Sequence, residues 1–318
     1  MGFPNRRNIA GPRPRRTSRT ALLVAVVAAA CAPPDEPAAL ALSLPPAATE
    51  LLEPDTVRSR SVAPGVVYRY LWSPRGPWAV HLVQARLRDR CELGFALLRP
   101  EARERGGSGR ETVTAMARRA GDRVLAALNA DFFTPQGAAL GVEIDRGRVV
   151  SSAERPTFAW RAGEPPRVES AEVGPSGIDV GWIVERGRGD GRTVAVGGDP
   201  DLLDAGARVG DLTVSARPSF AAARHPRSAV GYDADAGVLW LAAVDGRQPP
   251  HSVGMSLPEL AGLFEALGAE EALNLDGGGS TALVVGGRAV NRPSDPTGER
   301  AVVNALALVR DAAGCRVR

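Results

Sequence analysis

The side chains able to do chemistry fall in a few short stretches: Asn129-Ala130-Asp131, Arg227, Asp245-Gly246-Arg247, Asn274-Leu275-Asp276-Gly277-Gly278-Gly279-Ser280-Thr281, Arg292 and Asn304. Three carboxylates, Asp131, Asp245 and Asp276, stand where apolar runs end. Carboxylates in such places can act as general acid, base or nucleophile at an anomeric carbon. Arg227, Arg247 and Arg292 suit phosphate, because guanidinium offers paired donors to its oxygens. Asn129, Asn274 and Asn304 suit sugar hydroxyls. Taken singly, each of these residues is an ordinary surface turn or ion pair. As a group they call for a ligand carrying both sugar and phosphate.

Beside Asp276, the glycines at 277, 278 and 279 remove every side chain, which lets a ligand approach the backbone closely. A hairpin between two apolar strands needs fewer glycines than this. A flexible turn with an incidental Asp is the plainer alternative, and the entropic cost of three glycines argues against it.

Other chemistries are absent. All basic residues are Arg, so there is neither a Walker phosphate loop nor a Schiff-base lysine. Neither a Gly-x-Ser-x-Gly elbow nor a His-Glu-x-x-His helix occurs, and the glycine run does not match the dinucleotide fingerprint. His81 has no metal-ligand spacing around it, which favours a packing role.

Apolar periodicity places these residues on elements. Ser256 and Glu259 have capping-box spacing ahead of a helix over 256–267, with Gly268 as its C-cap. Another helix is expected over 111–120. Buried strands are expected over 124–128, 272–275 and 282–285, with further strands over 66–71, 79–87, 229–232, 238–244 and 302–309. A strand-turn-strand unit is expected over 139–151, turning at Asp145-Arg146-Gly147. Helix, glycine, acidic residue, strand and Asn-x-Asp recur twice in that order, ending at Asp131 and Asp276; coincidence explains so short a pattern equally well. Residues 167–214 read as peripheral short strands.

The chain has 318 residues and 44% hydrophobic content, with a formal charge of +3. Six arginines, from Arg6 to Arg19, precede an apolar run over 21–30; taking their charges from +3 leaves −3. The basic character therefore belongs to the leader, and nucleic acid is not an expected partner. The apolar run is shorter than the roughly 20 residues a membrane span needs, and it reads as an export signal over 1–30. Cys31 follows small residues, as in bacterial lipoprotein signals, so a lipid anchor at Cys31 and a place in the cell envelope are expected, on the periplasmic or extracellular face. Ordinary signal-peptidase cleavage nearby is the alternative. Residues 31–60 are rich in Ala and Pro and read as a tether. Cys91 and Cys315 are then the remaining thiols. Two buried free thiols are one outcome; a disulfide tying an early strand to the tail is the one expected.

The motifs together resemble the phosphodiester glycosidase family. The matching pieces are Asn129-Ala130-Asp131-Phe132-Phe133, Arg224-His225-Pro226-Arg227-Ser228, Asp245-Gly246-Arg247, Ser252-Val253-Gly254-Met255-Ser256-Leu257, the glycine run, and Asn291-Arg292-Pro293-Ser294. Ala130 departs from the family's usual Gly, and a single Ser280 precedes Thr281 where a Ser pair is common. The resemblance implies an α+β fold: one catalytic domain over 61–318, with mixed or antiparallel β-sheets flanked by a few helices. It also implies hydrolysis between an anomeric carbon and a phosphodiester oxygen, on a sugar 1-phosphodiester with an N-acetylglucosamine-like sugar. Asp276 would be the leading catalytic carboxylate. Asp131 and Asp245 would supply the second carboxylate or orient the sugar, and Arg227, Arg247 and Arg292 would hold the phosphate. The remaining substrate contacts would come from Asn129, Asn274, the three glycines, Ser280, Thr281 and Asn304. No cofactor or metal is called for; a hard cation on the Asp cluster ranks second. A non-catalytic envelope protein binding glycans or wall polymers is the reading from a different class.

Overall fold

The computed structural model describes residues 42–311 and 315, apart from 89, 108, 175–176, 181–182, 186–190, 211 and 213–217; for 173–174, 177–180 and 183–185 it describes the backbone alone. The expectations for the leader and for Cys31 lie outside the described residues.

The largest sheet has eight strands, in the order Thr56–Ala63, Val66–Ser73, Trp78–Arg86, Val238–Val244, Arg227–Asp233, Glu271–Leu275, Asp201–Asp204 and Ala207–Arg208. A five-stranded sheet follows the order Arg288–Ala289, Leu283–Val285, Val124–Asn129, Ala305–Arg310 and Leu93–Leu98. A second five-stranded sheet runs Arg148–Ser151, Glu143–Asp145, Thr193–Gly197, Pro156–Arg161 and Arg167–Ser170. The ladders that carry the candidate site are antiparallel. With few helices and mostly antiparallel sheets, the fold is α+β.

Because strand side chains alternate between faces, each sheet can bury both. Val83, Leu241, Val230 and Leu273 of the large sheet meet Phe95, Leu128 and Leu308 of the second, and Phe158 and Val196 of the third, in one shared core. On the far face of the large sheet, Leu82 and Trp240 pack under the helices Pro46–Leu52 and Leu257–Ala266. On the far face of the second sheet, Ala127 and Val284 pack under the helix Val113–Ala120. The Leu257–Ala266 helix starts with the expected capping box, Ser256 and Glu259 each satisfying the other's backbone amide. Gly268 follows it with φ 79°.

Two expectations need correcting. The tether does not extend to residue 60: Pro46–Leu52 is a helix and Thr56–Ala63 a strand paired with Val66–Ser73. Ala48 and Leu52 are fully buried, so apolar burial fixes what composition alone left as linker. Nor is 167–214 all peripheral, because Val194 and Val196 enter the shared core. Cys91 and Cys315 form a disulfide, joining positions 224 residues apart. Among the described residues no helix is long and apolar enough to cross a membrane.

Candidate active site

The large sheet and the second sheet bring strand ends together around Asp276, and three asparagines lock them. Asn129 donates from its side-chain amide to the Asp276 carbonyl. Its Oδ1 accepts from the Ser228 hydroxyl at 2.7 Å and from the Ala282 amide at 3.0 Å. One buried amide thus ties the large sheet to the second. Asn274 donates to the Asp199 carbonyl at 2.7 Å and accepts the Asp199 amide at its own carbonyl. Asn304 accepts the Asp131 amide at 2.9 Å and donates to Glu143 at 2.8 Å. All three are at most 1% exposed. The sugar contacts expected of them are not where the structure uses them: apart from Asn274 Oδ1, which has no partner among the described residues, their side-chain polar atoms serve backbone, hydroxyl and carboxylate groups.

Asp276 itself lines a cavity of about 660 Å³, together with the three glycines, Ser280, Arg155, Asp199, Arg247 and Arg300. Phe132, Phe133 and Phe220 supply apolar wall. Each glycine answers a different close approach. A side chain at 277 would strike the Pro226 carbonyl, and one at 278, where φ is 61°, would press on the Arg247 guanidinium. One at 279 would collide with both Arg300 and Asp295. The run therefore admits two arginines and the Pro226 backbone beside Asp276.

Charge in this cavity is unevenly matched. Arg300 makes a two-pronged ion pair with Asp295, at 2.7 and 2.9 Å, and Arg155 lies 3.6 Å from Asp199. Arg247 is exposed, with a left-handed φ of 59°, and its Nη2 donates to His225 Nδ1 at 3.3 Å. Among the described residues it has no carboxylate partner, which leaves its donors for an anion. Burial, then the nearby Arg227 and Arg247, hold the His225 imidazole below its usual pKa, so the neutral ring can accept that bond.

Burial pushes the Asp276 carboxyl up to about 6, against the hydrogen bond from Ser280, the attraction of Arg300 and the Gly277 amide. A carboxyl titrating near neutrality is suited to proton transfer. Asp131 is 1% exposed and does not line the cavity; Oδ2 accepts the Gly141 amide at 2.9 Å and Oδ1 has no partner among the described residues. Burial, with repulsion from Glu143, raises it well above the carboxylate range. Thr281 is likewise buried.

Other expected ligands sit elsewhere. Arg227 is fully buried; its Nε and Nη2 donate to three carbonyls, those of Met255, Phe220 and Ala223, at 2.8–2.9 Å, and its Nη1 has no partner among the described residues. It lies 4.7 Å over the Phe220 ring and so holds the segment that carries Phe220 and His225. Asp245 and Arg292 line a separate cavity. Arg155, Asp199, His225 and Arg300 are the site residues that sequence reasoning missed. Gly197-Gly198 ahead of Asp199 was an available signal: a side chain at 198 would strike the Asn274 carbonyl.

Known proteins share sequence and fold with this chain. Residues 122–309 match the family model for phosphodiester glycosidase. An uncharacterised SPbeta prophage-derived protein of Bacillus subtilis (strain 168), YomE, is 30% identical over 208 residues, 64% of this chain and 30% of that one. The chain thus spans less than a third of that relative. A hypothetical protein from Synechocystis shares the fold with a TM-score of 0.60 and 20% identity, over 80% of this chain and 64% of that one. So does the zebrafish N-acetylglucosamine-1-phosphodiester alpha-N-acetylglucosaminidase catalytic domain, auto-inhibited by its pro-peptide. There the TM-score is 0.55 and the identity 22%, over 80% of this chain and 83% of that one. With the family model covering more than half its length, this chain belongs to the phosphodiester glycosidase family, hydrolases of phosphodiester glycosyl bonds.

Proposed function

We propose that this protein hydrolyses the bond between the anomeric carbon of a sugar and a phosphodiester oxygen, with Asp276 as the reacting carboxylate. The observation that carries the reading is Asp276 in a cavity whose wall includes Arg247, a guanidinium without a carboxylate partner among the described residues. In its ionised form Asp276 acts at the anomeric carbon as nucleophile or as base toward water. The C–O bond breaks with its electrons going to the phosphate oxygen. A phosphomonoester leaves as a stable anion held by Arg247, so little protonation by an acid is needed, and water completes the reaction at the anomeric carbon, directly or by hydrolysing a glycosyl-Asp276 ester. Asp199, paired with Arg155, is the second carboxylate in the cavity and orients sugar hydroxyls. We take the sugar to be N-acetylglucosamine-like, the sugar named for the zebrafish enzyme.

Export to the cell envelope, with a lipid anchor at Cys31, belongs to the same proposal. The basic leader and the Cys91–Cys315 disulfide, a bond suited to an oxidising compartment, support it.

The test is a panel of sugar 1-phosphodiesters given to purified protein and to Asp276→Asn. Release of free sugar by the wild type, reduced roughly 10²-fold or more in the variant with little change in KM, is the expected result. Wild-type protein that binds the panel and turns over none of it would overturn this reading in favour of a glycan-binding role.

A further inference from the structure

Asp245 and Arg247 flank one glycine but line different cavities. The cavity of Asp245 measures about 520 Å³ and opens between the first strands of the large sheet and the loop at Asn291 and Arg292. Asp245 is 1% exposed and saturated with donors. Oδ2 accepts from His251 Nε2 at 2.9 Å and His81 Nε2 at 3.3 Å; Oδ1 accepts from the Arg292 amide at 2.9 Å and the Asn291 side chain at 3.4 Å. Burial pushes its pKa up, but the bonds from His81, His251 and Arg292 outweigh that and hold it low.

A saturated carboxylate cannot be a ligand's acceptor. It instead fixes two imidazoles. His81 donates through Nε2, which leaves Nδ1 to accept the Tyr68 hydroxyl at 2.8 Å. His251 donates through Nε2 as well, and its Nδ1 has no partner among the described residues. The carboxylate therefore sets the tautomer of a half-buried imidazole on the cavity wall.

Around these groups stand three guanidiniums. Arg58 and Arg60 occupy alternate positions of the edge strand Thr56–Ala63, hence one face, and Arg292 comes from the opposing loop. Among the described residues none is paired with a carboxylate, whereas Arg103, Arg224 and Arg300 each are. Arg60 lies 5.2 Å over the Tyr68 ring. Three guanidiniums against the single Asp245 carboxylate leave one concave surface net positive, which calls for a ligand with several anionic oxygens, and phosphate matches guanidinium in both charge and geometry. The volume lies within the range of small-molecule sites and far exceeds a bare phosphate. Tyr68 and Tyr70 give it an aromatic wall.

We propose that this second cavity binds a phosphomonoester, its phosphate held by Arg58, Arg60 and Arg292 beside His251, with the organic group against Tyr68 and Tyr70. The inference is independent of the glycosidase reading, since nothing in this cavity requires Asp276.

The chain has three histidines, so their ring signals resolve the two cavities by NMR: His251 and His81 report the second, His225 the first. Purified protein is titrated at fixed pH with inorganic phosphate and with glucose 6-phosphate, with acetate as the carboxylate control. Both phosphates should shift His251 saturably, glucose 6-phosphate more tightly, and acetate should not. The double variant Arg58→Gln/Arg60→Gln, on an exposed strand, should weaken that shift about tenfold or more, as the loss of two charge-assisted contacts entails. Arg247→Ala should leave it unchanged. An unmoved His251, a shift indifferent to Arg58 and Arg60, a response to acetate equal to that of phosphate, or a response confined to His225 and abolished by Arg247→Ala would each overturn the proposal.

Discussion

Asn274 grips Asp199 at both of its backbone groups, donating to the carbonyl through its side chain and accepting the amide at its own carbonyl. Two residues before Asp276, this clamp fixes the second carboxylate of the cavity relative to the first. Asn274→Ala should lower thermal stability by about 1–3 kcal/mol, because it removes a hydrogen bond made from a buried side chain. It should also lower kcat. Asp199→Asn should lower kcat while leaving the melting temperature nearly unchanged. Thermal unfolding and initial rates on the two variants separate these outcomes.

The raised pKa of Asp276 makes stability and activity move in opposite directions with pH. Its folded value of about 6 lies above the ordinary carboxylate value of 3.8. Between those pH values the native state binds more protons than the unfolded one, so stability falls as pH rises and levels off above 6. Asp276→Asn should lack this fall and be more stable than wild type at pH 7, by up to about 3 kcal/mol. The wild-type rate should rise through about pH 6 as the carboxylate ionises. Unfolding curves and a kcat/KM profile from pH 4 to 8 test both.

Arg247 and Arg227 should respond differently to the same change. Arg247→Ala should raise KM for phosphodiester substrates with little loss of stability, since the side chain is exposed. Arg227→Ala removes a fully buried guanidinium that donates to the Met255, Phe220 and Ala223 carbonyls and should cost about 2–4 kcal/mol. Steady-state kinetics paired with denaturant unfolding distinguishes a ligand contact from a positioning residue.

Cys315→Ser opens a loop of more than two hundred residues. The expected loss is roughly 2–5 kcal/mol of stability, measured by unfolding with and without reductant. The variant should be insensitive to reductant; a wild type equally insensitive would count against the bond.

Cys31→Ser should move the protein from the membrane fraction to the soluble one. Wild-type protein already soluble, with its N-terminus at another residue, would refute the lipid anchor.

The glycine run was legible because three glycines in sequence contradict local propensity, and that conflict marks a site. The Ser256 helix was legible because its cap and its apolar spacing agree. The asparagines misled because residue type states what a side chain can bond, not whether its partner is a ligand or a backbone carbonyl. Arg227 misled for a related reason: burial of a guanidinium depends on the Phe220 segment folding over it. His81 and Asp245 lie 164 residues apart and meet because the ladder sets His81 opposite Ala243, two residues before Asp245. No local pattern encodes that register.

The Cys91–Cys315 bond turns everything between those residues into a covalent circle. Every residue lining the Asp276 cavity, from Phe132 to Arg300, lies inside it, whereas Arg58, Arg60, Tyr68, Tyr70 and His81 lie outside. A single protease cut within the circle opens it without releasing a fragment. A cut at the exposed turn of Pro74 and Arg75 severs the strands bearing Arg58 and Tyr68 from the covalent circle, leaving sheet pairing and core packing to retain them. One cavity thus keeps its parts covalently joined through a nick, and the other depends on noncovalent contacts to keep its own.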